Sequence, residues 1–317
     1  MFNESEVIGL FFSRTIGVLE SASLDFEIVC VNDGSSDDTL EKLKAASTGE
    51  PRIKIVDLTR NFGKEVALSA GIDYASGDAI VPIDADLQDP PELIPQMVDK
   101  WLEGFDMVLP RRAARQGDTQ FKKTTAHMFY GLMERIGDVP VPADVGDFRL
   151  LDRRVAEAMK LMPERTRFMK GMFAWLGFRQ TVILYDRPAR AAGETKWRLL
   201  PLWNFAIEGI VSFTSFPLKI WSYAGFTCAS AAFLYGIFVV IRTVLRGSDV
   251  PGYASLITLV LLMNGLVLIG LGVIGEYVAR IFVEVKRRPL YLVQEEIGFQ
   301  WSEETRTSRS AAGERRI

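Results

Sequence analysis

Two carboxylates and a side-chain amide follow the apolar run 79–83, which has the length and composition of a short buried strand. They are Asp84, Asp86 and Gln88. Ligands of α/β proteins bind at the edge of the sheet where such strands end. Oxygen donors at this spacing suit a divalent cation, Mg²⁺ or Mn²⁺, that keeps positions open for phosphate oxygens. Acidic residues are also common at turns, so the stretch alone leaves a metal site and a plain turn open.

Two further predicted strands, 26–31 and 53–58, also end in polar residues. An amphipathic helix follows each of them, and this alternation of strand and helix predicts a parallel sheet. Asp33 follows the first strand and is predicted to contact a base or a ribose. Arg60 and Lys64 follow the second strand and are predicted to face phosphate oxygens near a helix N-terminus.

Composition excludes several classes of function. The chain has 37 Lys and Arg against 40 Asp and Glu, a net charge of -3, so no basic field indicates a nucleic-acid partner. Two cysteines, Cys30 and Cys228, cannot build a disulfide framework or a zinc site. Because His127 is the only histidine, a Ser-His-Asp triad has little support. Carboxylates must carry the chemistry.

Two charge-free apolar runs, 220–241 and 253–275, are each long enough to cross a bilayer as a helix. Basic residues follow the second run, among them Lys286, Arg287 and Arg288. By the positive-inside rule, the C-terminal tail and the large N-terminal domain are predicted to face the cytoplasm. We therefore expect a multi-pass protein of the inner, cytoplasmic membrane. A buried helical hairpin in a soluble protein is the alternative.

The predicted organisation has four parts. Between the N-terminal domain and the membrane lies an apolar stretch that we expect to form helices in the membrane interface, with core helices as the alternative. The polar end of the chain has a composition typical of disorder. The predicted boundaries are 1–196 for the catalytic domain, 197–217 for the interfacial helices, 218–283 for two transmembrane helices and 284–317 for a cytoplasmic, partly disordered tail.

Five motifs together resemble a known family. They occupy residues 32–39, 60–64, 84–91, 146–152 and 190–197. In this order they resemble the family 2 glycosyltransferases with the GT-A fold, and among them the polyprenyl-phosphate glycosyltransferases. That group contains bacterial bactoprenol glucosyltransferases and dolichyl-phosphate mannose synthases. Five motifs in sequence, spread over roughly residues 1 to 290, are far more specific than one.

The resemblance implies an α/β fold of the GT-A type, Rossmann-like with a mostly parallel sheet. It also implies an inverting, metal-dependent transfer of a hexose, glucose from UDP-glucose, to the lipid undecaprenyl phosphate. The nucleotide sugar, the polyprenyl phosphate and the membrane are the expected partners, and a homo-oligomer is left open. Alternatives are a GDP-mannose-dependent polyprenyl-phosphate mannosyltransferase, a UDP-amino-sugar transferase, and a non-catalytic membrane scaffold with a degenerate GT-A fold.

Roles for single residues follow from the same resemblance. Asp147 takes the catalytic-base position, with Asp86 as the second catalytic carboxylate. Since a phosphate acceptor is already anionic near neutral pH, we expect Asp147 to orient the acceptor or the sugar; a plain turn residue is the alternative. Nucleotide-sugar binding is assigned to Asn3, Glu4, Asp33, Gly34, Arg60, Lys64 and Asp84. Acceptor or diphosphate binding is assigned to Arg111, Lys123, Arg149, Arg190 and Lys196, with a solvated basic surface as the alternative for Arg111 and Lys123. The metal ligands are Asp84, Asp86 and Gln88.

The N-terminus departs from this family pattern. Members normally begin with an apolar strand, whereas this chain opens at Met1 and matches only the end of that motif, at Asn3 and Glu4. Asn3 is predicted to cap the first helix, with Glu6 completing a capping box. We expect the natural chain to carry roughly eight to fifteen further residues upstream, about the length of one strand.

Overall fold

A computed structural model describes most of the chain and divides it into two compact units. The first unit holds the N-terminal part and a return segment at 287–299, and the second holds two long helices. The described residues are 1–112, 146–162, 164–165, 167–185, 216–246 and 252–299. The interfacial helices predicted at 197–217 lie outside this description up to residue 215, as do Lys123, Arg190, Lys196 and 300–317.

Two sheets form the frame of the first unit. The strands are β1 (Ile28–Asn32), β2 (Ile53–Leu58), β3 (Ala79–Ile80), β4 (Met107–Arg112), β5 (Leu150–Asp152), β6 (Gln180–Tyr185) and β7 (Val293–Ile297). Their order is β1-β2-β7 in one sheet and β3-β5-β4-β6 in the other. The helices are α1 (Ile8–Ser21), α2 (Thr39–Gly49), α3 (Lys64–Tyr74), α4 (Ile94–Leu102), α5 (Arg153–Lys160) and α6 (Met169–Trp175).

The sheets are mixed, which corrects the prediction of a mostly parallel sheet. β1 pairs with β2 in parallel and β4 pairs with β6 in parallel, whereas β2–β7, β3–β5 and β4–β5 are antiparallel. The predicted alternation of strand and helix is present from β1 to α3. β5 and β7 pair with strands that are distant in the chain. The local sequence therefore does not indicate whether these pairings are parallel or antiparallel.

Two of the core clusters lie on the two faces of β2. Ile53 and Ile55 pack with α1 and α2, and Val56 and Leu58 pack with α3 on the other face. Four of the six residues of β2 are apolar, two for each face, which matches its burial on both sides. This sandwich fixes the ends of β1 and β2 side by side, at the register Asn32 to Asp57.

The return segment completes this sheet. β7 pairs with β2 over Ile55 to Leu58, and the Thr59 amide donates to the Leu292 carbonyl at 3.0 Å. Side chains reinforce the pairing, since Lys44 meets Glu295 at 2.6 Å and Tyr291 donates to Asp73 at 2.8 Å. This segment was predicted to belong to the cytoplasmic tail, and β7 was not predicted.

The second unit consists of α7 (Phe216–Arg246) and α8 (Tyr253–Lys286), of 31 and 34 residues. Among the described residues, one segment, Leu262–Lys286, is long and apolar enough to cross a membrane. A shorter apolar stretch, Tyr223–Val239, lies in α7. The prediction of two transmembrane helices is therefore not confirmed by this criterion, although both predicted segments are helical.

Candidate active site

The loops after β1 and β2 are tied together by Asp33. This side chain is 3 % exposed, and its carboxylate accepts hydrogen bonds from the amides of Phe62 at 2.7 Å and Gly63 at 3.0 Å. Buried carboxylates need such partners, because an unpaired charge is costly away from water. Asp33 was predicted to contact a base or a ribose; here both of its oxygens hold the loop that leads into α3.

Gly34 lets the two loops approach each other closely. Its φ is +65°, and a Cβ atom at this position would lie 2.4 Å from the carbonyl carbon of Arg60. No L side chain fits there without a shift of backbone. Gly34 was predicted to bind the nucleotide. In the structure it lets the loops after β1 and β2 come into contact.

Asn3 serves the same region. Its side-chain Oδ1 accepts a hydrogen bond from the backbone amide of Ser36 at 2.9 Å, and its backbone amide donates to Ser35 Oγ at 3.0 Å. The prediction that Asn3 caps the first helix is wrong, since α1 begins at Ile8 after Val7 with no side-chain cap. The loop after β1 offers Asn3 a free amide, and this tertiary contact replaces the local cap.

The chain at Met1 lies beside the end of β1. The Met1 nitrogen donates to the Val31 carbonyl at 2.7 Å, and the Met1 carbonyl accepts from the Asp33 amide at 2.9 Å. The Glu4 amide then donates to Thr39 Oγ1 at 2.9 Å. Residues 1–4 therefore occupy the edge at which β1 ends, where Asn3 and Glu4 were predicted to act.

Lys64, the first residue of α3, joins two predicted site carboxylates. Its Nζ lies 2.7 Å from Asp84 Oδ2 and 3.0 Å from Asp147 Oδ2. Partial burial lowers the pKa of Lys64, but the two carboxylates outweigh this effect and raise it above its ordinary value. Motifs that are far apart in the chain, at 60–64, 84–91 and 146–152, thus meet at one ammonium group.

Carboxylates also influence each other at the predicted metal site. Burial raises the pKa of Glu4, and the charges of Asp86 and Asp84 raise it further. Asp86 Oδ1 accepts a hydrogen bond from the backbone amide of Gln88 at 3.0 Å, as in a turn. The plain turn left open by the sequence is therefore present at this acidic cluster. Among the described residues, no three His, Cys, Asp or Glu side chains already converge as a metal site. Oxygen donors are the ligands that a hard divalent cation prefers.

Arg149 is a buried cation next to the candidate site. Its side chain, with the residue 3 % exposed, donates to the Gly146 carbonyl at 2.6 Å and lies over the Phe173 ring at 4.1 Å. Burial lowers the pKa of Arg149 to about 10, while Asp147 and Glu65 oppose that shift. Arg149 was predicted to bind phosphate; its observed partners are protein groups.

Glu65 was missed by the sequence analysis. It follows Lys64 in the first turn of α3, where acidic residues are common and attract no attention. Burial, and then the charge of Asp147, raise the pKa of Glu65 to about 7. Within the described residues, its buried Oε2 has no hydrogen-bond partner. Only the fold reveals this environment.

Two predicted phosphate-binding arginines lie on the surface. The Arg60 guanidinium lies over the Phe62 ring at 4.0 Å and donates to the Asn61 carbonyl at 2.9 Å. Arg111 is exposed near the end of β4.

The chain is similar to known protein families and to several known glycosyltransferases. A glycosyl transferase family 2 model matches residues 1–159, and a GtrB C-terminal hairpin model matches residues 216–281. An uncharacterized glycosyltransferase of Synechocystis sp. is 52 % identical over 301 residues, covering 95 % of each chain. An SfII prophage-derived bactoprenol glucosyl transferase of Shigella flexneri is 47 % identical over 294 residues, covering 93 % of this chain and 95 % of that protein.

A prophage bactoprenol glucosyl transferase homolog of Escherichia coli is 46 % identical over 294 residues, covering 93 % of this chain and 96 % of that protein. These matches run through the sheet edge where Asp33, Lys64, Asp84 and Asp147 lie. They confirm the resemblance predicted from the five motifs. The chain is a glycosyltransferase with the GT-A fold and belongs to glycosyl transferase family 2.

Proposed function

We propose that this protein transfers glucose from UDP-glucose, with inversion, to undecaprenyl phosphate at the cytoplasmic face of the inner membrane. The observation that carries the proposal is the Lys64 ammonium between Asp84 and Asp147. It brings the predicted donor side and the predicted acceptor side of the reaction to one place. Relatives at 46–47 % identity named bactoprenol glucosyl transferase support the choice of sugar and lipid.

The donor side has to stabilise a departing nucleoside diphosphate. Asp84 and Asp86, with Gln88, would hold a divalent cation, which when bound neutralises the charge that develops on the leaving group. Burial and then the charges of Asp86 and Asp84 raise the pKa of Glu4, so Glu4 is close enough to add its own charge to the attraction for a cation. Asp33 and Gly34 contribute indirectly, since they hold the loop at Arg60–Lys64 in place.

The acceptor side needs little proton transfer. A phosphate monoester is largely a dianion above its second pKa of about 6, so it attacks without a general base. Asp147 is then best suited to orient the acceptor or the sugar, because its Oδ2 is held by Lys64. Of Lys64 and Arg149, the half-exposed Lys64 is the one that a phosphate oxygen can reach, because Arg149 is enclosed by protein.

The strand β7 supports a two-span topology. The chain leaves the first unit before α7 and returns to the same unit after α8, where β7 pairs with β2. A segment whose two ends belong to one folded unit crosses a bilayer an even number of times. If Leu262–Lys286 spans, α7 must cross as well, with the catalytic domain and the tail on the cytoplasmic side. A reporter tag after Ile317 that is accessible from outside intact cells contradicts this topology.

One experiment tests the reaction and the sugar. Membranes containing the protein are given labelled UDP-glucose, UDP-galactose, UDP-N-acetylglucosamine or GDP-mannose, each with undecaprenyl phosphate. We expect UDP-glucose to give the most labelled glycolipid. Asp86→Asn and excess chelator should both abolish it, while Asp99→Asn, on the exposed face of α4, should not. A preference for GDP-mannose contradicts the proposed donor, and full activity in chelator contradicts the metal.

A further inference from the structure

Three buried polar atoms around Asp147 lack hydrogen-bond partners among the described residues. They are Oδ1 of Asp147, Nε of Arg149 and Oε2 of Glu65. Buried side-chain atoms are nearly always paired, and each unpaired one costs on the order of 1–3 kcal/mol. Three together, on charged groups that influence one another, indicate that this region is tuned for something other than stability.

The surroundings of Glu65 come from three elements. Lys64 precedes it on α3, Asp147 and Arg149 come from the segment before β5, and Met169 and Lys170 belong to α6. Burial and the Asp147 carboxylate favour the neutral acid, whereas Lys64, the Met169 backbone and Lys170 favour the carboxylate. The first group prevails and raises the pKa of Glu65 to about 7. The two forms therefore have similar populations near neutral pH.

The two forms differ in what they do to the neighbouring cations. An ionised Glu65 adds a second negative charge near Asp147 and attracts Lys64 and Arg149. A neutral Glu65 adds none. A phosphate dianion that binds beside Asp147 therefore meets a more positive field when Glu65 is protonated.

We propose that Glu65 is a positioning residue for the acceptor phosphate: as a neutral acid it leaves the charge of Lys64 to the incoming dianion, and as a carboxylate it competes for that charge. The inference rests on the proposed function, because it takes a polyprenyl phosphate as the ligand. Glu65 does not touch the reacting atoms; it acts through the field at Asp147. The acceptor consequently binds more weakly once Glu65 has lost its proton.

The test compares the wild-type protein with Glu65→Gln, a permanent mimic of the neutral acid. Calorimetric titration with farnesyl phosphate, a short polyprenyl phosphate, gives the dissociation constant of each protein between about pH 6 and pH 8.5. Dividing the wild-type constant by that of the variant cancels the titration of the ligand itself. We expect this ratio to be close to one at the acid end and to reach about ten at the alkaline end. Glu157→Gln, an exposed change on α5, should give a constant ratio.

The possible results separate two failures. A ratio that stays constant for Glu65→Gln overturns the role of Glu65 and leaves the proposed function intact. If wild-type protein binds no farnesyl phosphate at any pH, the proposed acceptor is wrong and the inference falls with it. A merely structural role of Glu65 predicts equal weakening at every pH, and that result also contradicts the proposal.

Discussion

Lys64 Nζ lies 3.0 Å from Oδ2 of Asp147, an ion pair between the first residue of α3 and the segment that leads into β5. The same nitrogen lies 2.7 Å from Asp84 at the end of the 79–83 run. One ammonium group thus forms ion pairs with carboxylates from two motifs. Without it, those carboxylates would repel each other and the anionic substrates.

Loss of this ammonium should impair transfer far more than folding. For Lys64→Met we expect turnover to fall about a hundredfold, because a charge facing the substrates is removed. The free energy of unfolding should change by less than about 1 kcal/mol, since half-exposed ion pairs contribute little. Lys100→Met, which breaks an exposed pair with Glu103 on α4, is the matched control and should keep full turnover. Equal turnover in both variants contradicts the role of Lys64.

Asp33 and Asp147 should differ in their effect on nucleotide binding. Asp33→Ala leaves the amides of Phe62 and Gly63 without an acceptor, so we expect weaker UDP binding and a loss of about 2–4 kcal/mol in stability. Asp147→Asn should keep its affinity for UDP and lose turnover instead. Calorimetric titration of UDP into both variants measures this difference. An equal loss of affinity would mean that Asp147 belongs to the nucleotide site.

Two glycines provide a matched pair of substitutions. Gly34→Ala forces a Cβ atom to within 2.4 Å of the Arg60 backbone at a φ of +65°, so we expect a loss of about 2–4 kcal/mol. Gly17→Ala lies in α1 with no atom within 4 Å and should be neutral or stabilise by up to about 1 kcal/mol. Denaturant unfolding of both variants tests the contact between the two loops. Similar stabilities would show that the loops are not in close contact.

The stability of the protein should depend on pH through Glu65. The pKa of Glu65 is about 7 in the folded protein, against 4.5 for an ordinary glutamate. Between these values the folded state keeps a proton that the unfolded state has released, so stability falls as the pH rises. Glu65→Gln removes this loss, and its advantage over wild type should grow by about 2–3 kcal/mol from pH 4.5 to pH 8. Melting temperatures at several pH values measure it, and a constant difference contradicts the raised pKa.

Asp84 and Lys64 were assigned to the candidate site separately, each from the strand-like run that precedes it. The strands before them, β3 and β2, belong to different sheets, so the ion pair between the two side chains was not predicted. The strand at 53–58 was confirmed to the residue, because its apolar residues supply both buried faces and polar residues follow directly.

Features that depend on distant partners were not predictable in this way. β7 has the sequence Val-Gln-Glu-Glu-Ile, and its two glutamates are not typical of a strand. In the fold Glu295 pairs with Lys44, and Glu296 accepts a hydrogen bond from Tyr74. Asn3 had a plausible local role as a cap, but the Ser36 amide competes for its side chain. Glu65 acquires its raised pKa from burial and from Asp147, neither of which a local pattern shows.

The central claim is that a sugar is transferred to a lipid phosphate. The most direct measurement incubates the purified protein with labelled UDP-glucose and either undecaprenyl phosphate or undecaprenol, then counts the label in the extracted lipid. We predict labelled lipid with undecaprenyl phosphate, little label with Asp147→Asn, and none with undecaprenol, because only the phosphate supplies an anionic nucleophile without a general base. Label on undecaprenol at a comparable rate, or no labelled lipid from any nucleotide sugar, would contradict the account.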